Sequence, residues 1–172
     1  MEAPVDFATL TLCDALDLAT LVEEEARARY DAFAHAMALH RDFEAAKFFR
    51  AMVDMEGYHT AALQARRQEL FCDAPVTVRA DVFFDVDAPP SETVRPGIGL
   101  REALEISRLA EQRAWRFFDE GVTAVGDPVA RELFAELRDD EARHLQMVED
   151  ALAALPVDAA DDLLGDWEKT TA

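Results

Sequence analysis

The chain has 172 residues, 51% of them apolar, and carries 36 acidic against 17 basic side chains for a formal net charge of −19. That length suits one core-bearing domain. The charge argues against nucleic acid and against an anionic membrane surface as partners, since both are gripped by basic side chains. Cys13 and Cys72 stand far apart and outside any Cys-x-x-Cys, so thiolate metal sites and redox dithiols have no basis. Cys13 reads as a buried small hydrophobe, and a disulfide between the two is left open. The segment Met1-Glu2-Ala3-Pro4-Val5-Asp6 lacks a signal-peptide pattern, and no apolar run is long enough to span a bilayer. The expected location is cytoplasmic.

Thr11 with Asp14 three residues on is a capping-box start. The first helix is expected over 11–40, with Leu12, Leu16, Ala19, Glu23, Ala26, Tyr30, Phe33 and Met37 on one face at a spacing of three and four. A tight antiparallel turn leads to a second helix over 42–70, from Asp42 through Phe49, Met52, Glu56, His59 and Leu63. Residues 71–99 then break the pattern with Pro75, Pro89, Pro90 and Pro96, keeping Val76, Val78, Val82, Phe83 and Phe84 as apolar anchors and a weak strand-like piece at Thr77 to Val86. Compact domains seldom carry so long a connector without a purpose. A helix of about 28 residues is roughly 42 Å long, and about 13 extended residues span that length. The connector is therefore read as a crossover that sets the third helix parallel to the second. The third helix, 100–124, presents Leu104, Ser107, Glu111, Ala114, Trp115 and Phe118. Asp127 followed by Pro128 marks the start of the fourth, 128–155, whose inward face is Leu133, Leu137, Glu141, His144, Val148 and Leu152. The tail, 156–172, holds an isolated Trp167 and is a candidate for a short docked helix.

Charged residues occupy core positions on all four helices. Glu56 with His59, and Glu141 with His144, are two Glu-x-x-His pairs, each offering a carboxylate and an imidazole on one helical face. Of the four histidines, His35 and His40 have Ala32 and Met37 three residues earlier instead. Burying an uncompensated carboxylate costs several kcal/mol or more, and a shared cation supplies the compensation. The pattern is also repeated: Glu23, Ala26 and Tyr30 match Glu111, Ala114 and Phe118 in spacing, and the Glu-to-pair intervals agree within three residues. One helical hairpin is used twice. Pairing the hairpins about a pseudo-twofold gives an all-α four-helix bundle with four Glu and two His at its centre, the donor set of di-iron carboxylate bundles.

On these motifs, over about residues 11 to 155, the chain resembles the ferritin-like superfamily and within it the rubrerythrin branch. Glu23 with Ala26-Arg27 and Arg29-Tyr30 is similar to that family's first-helix motif, and Glu56 with His59 and Glu141 with His144 resemble its two metal motifs. The resemblance implies that Glu23, Glu56, His59, Glu111, Glu141 and His144 ligate two metal ions, with Glu56 and Glu141 bridging. Two departures stand out. There is no four-cysteine set for a rubredoxin-type iron domain, so electrons must come from a separate donor. Ala114 stands where rubrerythrins resemble one another in having a further Glu, a ligand tied to their peroxide reduction.

Carboxylates with two imidazoles suit iron, with manganese or zinc as other occupants. The expected function is a di-iron oxidoreductase acting on peroxide or dioxygen, of the peroxidase or ferroxidase type. The alternatives are an iron-handling protein and a metal-stabilised binding bundle without a redox substrate. Beyond the ligands, Asp140 is a candidate acceptor for the free imidazole N–H of His59, and Tyr30 a candidate hydrogen-bond partner of Glu111. Glu24 and Glu25 read as solvated. A homodimer is expected, because symmetric dimers are the commonest oligomers.

Overall fold

A computed structural model of the chain describes residues 5–78 and 98–156. The described residues form a single 3-10 turn, Phe7–Thr9, and four long helices: α1 Leu12–Leu39, α2 Phe43–Phe71, α3 Leu100–Ala124 and α4 Pro128–Ala154. There is no strand among them. Thr77 and Val78 are without regular structure, and the rest of the expected strand-like piece, most of the crossover and the tail with Trp167 lie outside the described residues.

Local chemistry starts each helix. Thr11 Oγ1 accepts from Asp14 N at 3.2 Å while Asp14 Oδ2 accepts from Thr11 N at 3.0 Å, closing the capping box of α1. Asp42 Oδ1 accepts from Ala45 N at 3.0 Å at the head of α2, and Asp127 Oδ1 from Val129 N and Ala130 N at 2.8 and 3.1 Å at the head of α4. The turn between α1 and α2 closes with Asp42 N donating to Met37 O at 3.0 Å, which requires Arg41 to take a left-handed φ of 60°. This is a helix-ending motif that usually recruits glycine.

α1 packs along α2 and α3 along α4, and the two hairpins meet mainly through α1. Side chains meet in two separate apolar clusters. One gathers Phe7, Leu16, Leu18, Val22, Leu63, Phe117, Phe118, Leu133, Phe134 and Leu137; the other Tyr30, Phe33, Met37, Phe49, Met52, Ile98, Leu104 and Val148. Glu23, Glu56, Glu111, Glu141 and His144 are buried and belong to neither cluster. On every helix these residues fall between the segment that feeds one cluster and the segment that feeds the other, so a polar layer crosses the bundle.

Three expectations are corrected at this level. Trp115 is only half-buried, and Phe117 takes the core place instead. The cause is the 3-10 turn, which the helical spacing did not announce: it lays Phe7 against Phe117 and Phe134, with ring centroids 5.1 and 5.9 Å apart, and so covers that flank of α3. Cys13 is half-buried rather than buried, Cys72 is exposed, and both are free thiols. Glu25 is half-buried, its carboxyl raised by burial and lowered in part by Arg29, whereas Glu24 is exposed and accepts from Gln64 Nε2 at 3.0 Å. An ion pair that no pattern signalled joins the first hairpin: Arg67 Nε lies 2.8 Å from Asp17 Oδ1, and its terminal nitrogens donate to Cys72 O and Ala74 O.

Gly121 lets α3 pack directly against the Phe134 ring of α4. A Cβ placed there would sit 2.6 Å from Phe134 Cδ2, and Phe134 is itself fully enclosed. Gly121→Ala is therefore expected to destabilise the protein by about 1–3 kcal/mol through overpacking. The check is a urea midpoint that falls relative to the parent chain, where replacing a helical glycine by alanine on an open surface would raise it.

Candidate metal centre

The polar layer brings six side chains from four helices together: Glu23 from α1, Glu56 and His59 from α2, Glu111 from α3, Glu141 and His144 from α4. His59 Nδ1 lies 3.5 Å from Glu23 Oε2 and 3.9 Å from Glu56 Oε2. His144 Nδ1 lies 3.1 Å from Glu56 Oε1, 3.7 Å from Glu111 Oε2 and 3.7 Å from Glu141 Oε2. Glu56 thus spans both imidazoles, one oxygen toward each. The two rings face one another almost in parallel, centroids 5.2 Å apart and planes 9° apart. That arrangement is what the duplicated hairpin produces when its two copies pair.

Two groups of donors lie close enough to hold a cation: Glu56, His59 and His144, and Glu111, Glu141 and His144, each with its donor atoms within 4.8 Å of one another. Glu23 stands against His59 on the first side. Both oxygens of Glu23, both of Glu56, and the Nδ1 atoms of His59 and His144 are buried without a hydrogen-bond partner. Native interiors rarely leave such atoms unpaired. Here they crowd at 3.1 to 3.9 Å with poor hydrogen-bond geometry, the disposition of donors aimed at a common point between them. The residues therefore fit a pair of metal ions.

Electrostatics describe the same strain. Burial first, then the Glu141 and Glu56 carboxylates, push Glu23 well above the usual carboxylate range. Burial and the facing Glu111 do the same to Glu141. Glu111 moves the other way: burial raises it, but contacts with His144 and Glu141 and a hydrogen bond from Tyr30 outweigh burial and hold it low. Burial disfavours a charged His144, yet contact with Glu111, Glu141 and Glu56 raises it strongly, while burial and the charge of His144 lower His59. The shifts of Glu23, Glu141 and His144 run toward reducing the negative charge of the layer, the effect that a bound dication would also have.

Two further side chains were singled out beside the ligands. The Tyr30 hydroxyl donates to Glu111 Oε1, and Tyr30 is wholly buried. Its repeat partner Phe118 has no hydroxyl to offer Glu23. Asp140 departs from expectation. Its carboxylate is ion-paired with Arg143, one turn further along α4, rather than bonded to His59. An arginine three residues on competes for it from the same face. Arg143 also bears on His59, whose imidazole it helps to lower. Arg143 carried no signal in the sequence, because its nearness to His59 depends on how α2 and α4 are set against each other.

The Rubrerythrin family model matches residues 14–152, most of the chain. The chain belongs to the rubrerythrin family. Among solved structures, it is similar to an uncharacterised conserved protein from Magnetospirillum magnetotacticum, with a TM-score of 0.75 and 23% identity over 87% of this chain and 99% of that one. At that identity the likeness shows the fold, a ferritin-like four-helix bundle. No curated protein matches the chain. No helix among the described residues is long and apolar enough to cross a membrane.

Two substitutions separate packing from charge in this member of the rubrerythrin family. Tyr30→Phe leaves a buried Glu111 oxygen without its donor and is expected to destabilise the metal-free protein by about 1–3 kcal/mol, read from denaturant unfolding. Glu23→Gln removes a buried acid that lacks a partner while keeping its shape. Its expected signature is a metal-free melting temperature equal to or above the parent's, together with a smaller rise on adding divalent metal. A clear fall in the metal-free value would show that the Glu23 carboxylate is itself holding the bundle together.

Proposed function

We propose that Glu23, Glu56, His59, Glu111, Glu141 and His144 hold two iron ions, and that the protein is an oxidoreductase acting on peroxide or dioxygen. The observation that carries this reading is the set of buried, unpartnered carboxylate and imidazole atoms drawn from four helices into one layer. Membership of the rubrerythrin family and the two donor clusters support a di-metal site. The donor chemistry suits iron, with manganese or zinc as alternatives.

The chain's own residues prepare the site. Four carboxylates would balance the charge of two dications in full, and the facing imidazoles would add two neutral donors. The apolar clusters on either side exclude water from the rest of the layer. Tyr30 fixes the orientation of Glu111 and keeps a proton beside it. Bound there, a ferrous pair supplies the two electrons that take peroxide to water or dioxygen to peroxide. A separate donor then returns those electrons, in a cytoplasmic setting consistent with two free thiols; we place the protein there as a homodimer.

Ala114 favours the ferroxidase side of this reading, or iron handling without a substrate of its own. It is buried in the core with only a methyl group where a further carboxylate would stand, so the donor set is the symmetric six and offers no spare ligand on α3.

Anaerobic titration with ferrous iron is the test. Two equivalents per chain are expected to bind, and oxidation after adding peroxide or dioxygen should be lost when Glu56→Ala and Glu141→Ala are combined, the stoichiometry dropping below one. By linkage, metal at about 100 times its Kd should stabilise the parent chain by about 2.7 kcal/mol per independent site. Fewer than two ions bound by the parent, or unchanged oxidation in the double variant, would remove the basis of the proposal. Metal binding with no oxidation by either oxidant would leave a metal-stabilised bundle.

A further inference from the structure

The two halves of the centre differ in how they meet solvent. His144 has a side chain 4% exposed, whereas His59 is 17% exposed, and the glutamates are all nearly closed off. The exposed edge of His59 opens into a groove of about 330 Å³ between α2 and α4. Its lining combines the apolar Ala62, Leu63, Leu133 and Leu137 with Tyr58 and two ion pairs, Asp140–Arg143 and Arg66–Glu136. The groove exists because α2 and α4 pack loosely: the hairpins join mainly through α1.

We infer that this groove is the entrance to the centre, and that it admits a neutral small molecule up to the size of a short organic hydroperoxide to the His59 side while the His144 side stays closed. The assignment deepens the oxidoreductase reading and rests on it for the identity of the oxidant, though not for the existence of the route. Three observations converge. The volume is about ten times the roughly 30 Å³ share of a water molecule, far more than hydrogen peroxide needs, and it lies at the lower end of small-molecule sites. The four apolar side chains of the lining suit an alkyl group. Its charged residues are paired, Asp140 with Arg143 and Arg66 with Glu136, so neither an anion nor a cation is specifically drawn in. Ala62 is exposed on α2, and a larger side chain there would project into the groove without entering the core.

Diethyl pyrocarbonate, a neutral electrophile of suitable size, tests the route directly on the metal-free full chain, with modified histidines mapped by mass spectrometry. His59 is expected to react readily, and His144 about tenfold or more slowly, because a closed site must wait for local opening and the charge that its carboxylate neighbours favour on His144 slows acylation further; the decisive readout is therefore His59 in the Ala62 variants. Ala62→Trp should slow His59 by about tenfold and Ala62→Leu by less, as the plug shrinks. The exposed His35 and His40 should react unchanged in all three proteins, reporting an intact fold. Equal reactivity of His59 and His144, or an Ala62→Trp chain in which His59 reacts as in the parent, overturns the entrance. Neither readout requires bound metal, so failure of the iron reading leaves this result standing on its own. In ferrous-loaded protein that binds iron, Ala62→Leu should slow oxidation by tert-butyl hydroperoxide more than oxidation by hydrogen peroxide. Equal slowing of the two would refute the size of the admitted molecule.

Discussion

Four carboxylates confined to one buried layer are the constraint from which the rest of this bundle follows. Like charges at such separations in a poorly hydrated interior repel strongly, and the polypeptide meets that repulsion only in part, by shifting Glu23 and Glu141 toward the protonated form and favouring a charge on His144. The apolar core is accordingly split in two, each cluster closing one side of the layer. A fold that merely sought stability would fill that layer with leucine. Retaining six ionisable groups there points to a cation as the missing element of the core.

Duplication explains the symmetry of the layer, and its departures explain how the two halves can differ. The paired rings of His59 and His144 and the spanning position of Glu56 come from two copies of one hairpin facing each other. The copies have diverged at the position seven residues after the first-helix glutamate: Tyr30 anchors Glu111, while Phe118 leaves Glu23 to its neighbours. They also differ at the surface. The His59 side meets a groove and the His144 side meets packed side chains. One half is thus held and enclosed, the other freer and nearer solvent.

The surroundings of the site are structural in a plain sense. Capping by Thr11, Asp42 and Asp127 sets where three helices begin, and so sets the height at which each glutamate enters the layer. The contact of Gly121 with Phe134 brings α3 and α4 together beyond the site, while the Asp17–Arg67 pair ties α1 to α2 at the same end of the bundle. Rotation of one helix by a single residue would turn its glutamate away from the layer, and these contacts oppose that rotation.

Much of this was legible in the residues. Helical periodicity, the caps and the doubled Glu-x-x-His pattern are local properties, so they announced four helices, two hairpins and the six side chains that the folded chain brings together; the family match covers the same span. Phe7 was different. Its turn against Phe117, which displaces Trp115 from the core, is a contact across more than a hundred residues, and no periodic signal encodes it. The partner of Asp140 also differed from the expected His59: the carboxylate pairs with Arg143 on its own helix, and whether His59 comes close enough to compete depends on the spacing between α2 and α4. The sequence by itself determined most of the side chains that face inward, the six of the polar layer included, because a helix repeats its faces every few residues. Only the tertiary structure decided how far apart the helices stand, and with it the open groove at His59, the closed side at His144 and the orphaned atoms that call for a metal, because those depend on packing between segments that the chain order does not relate.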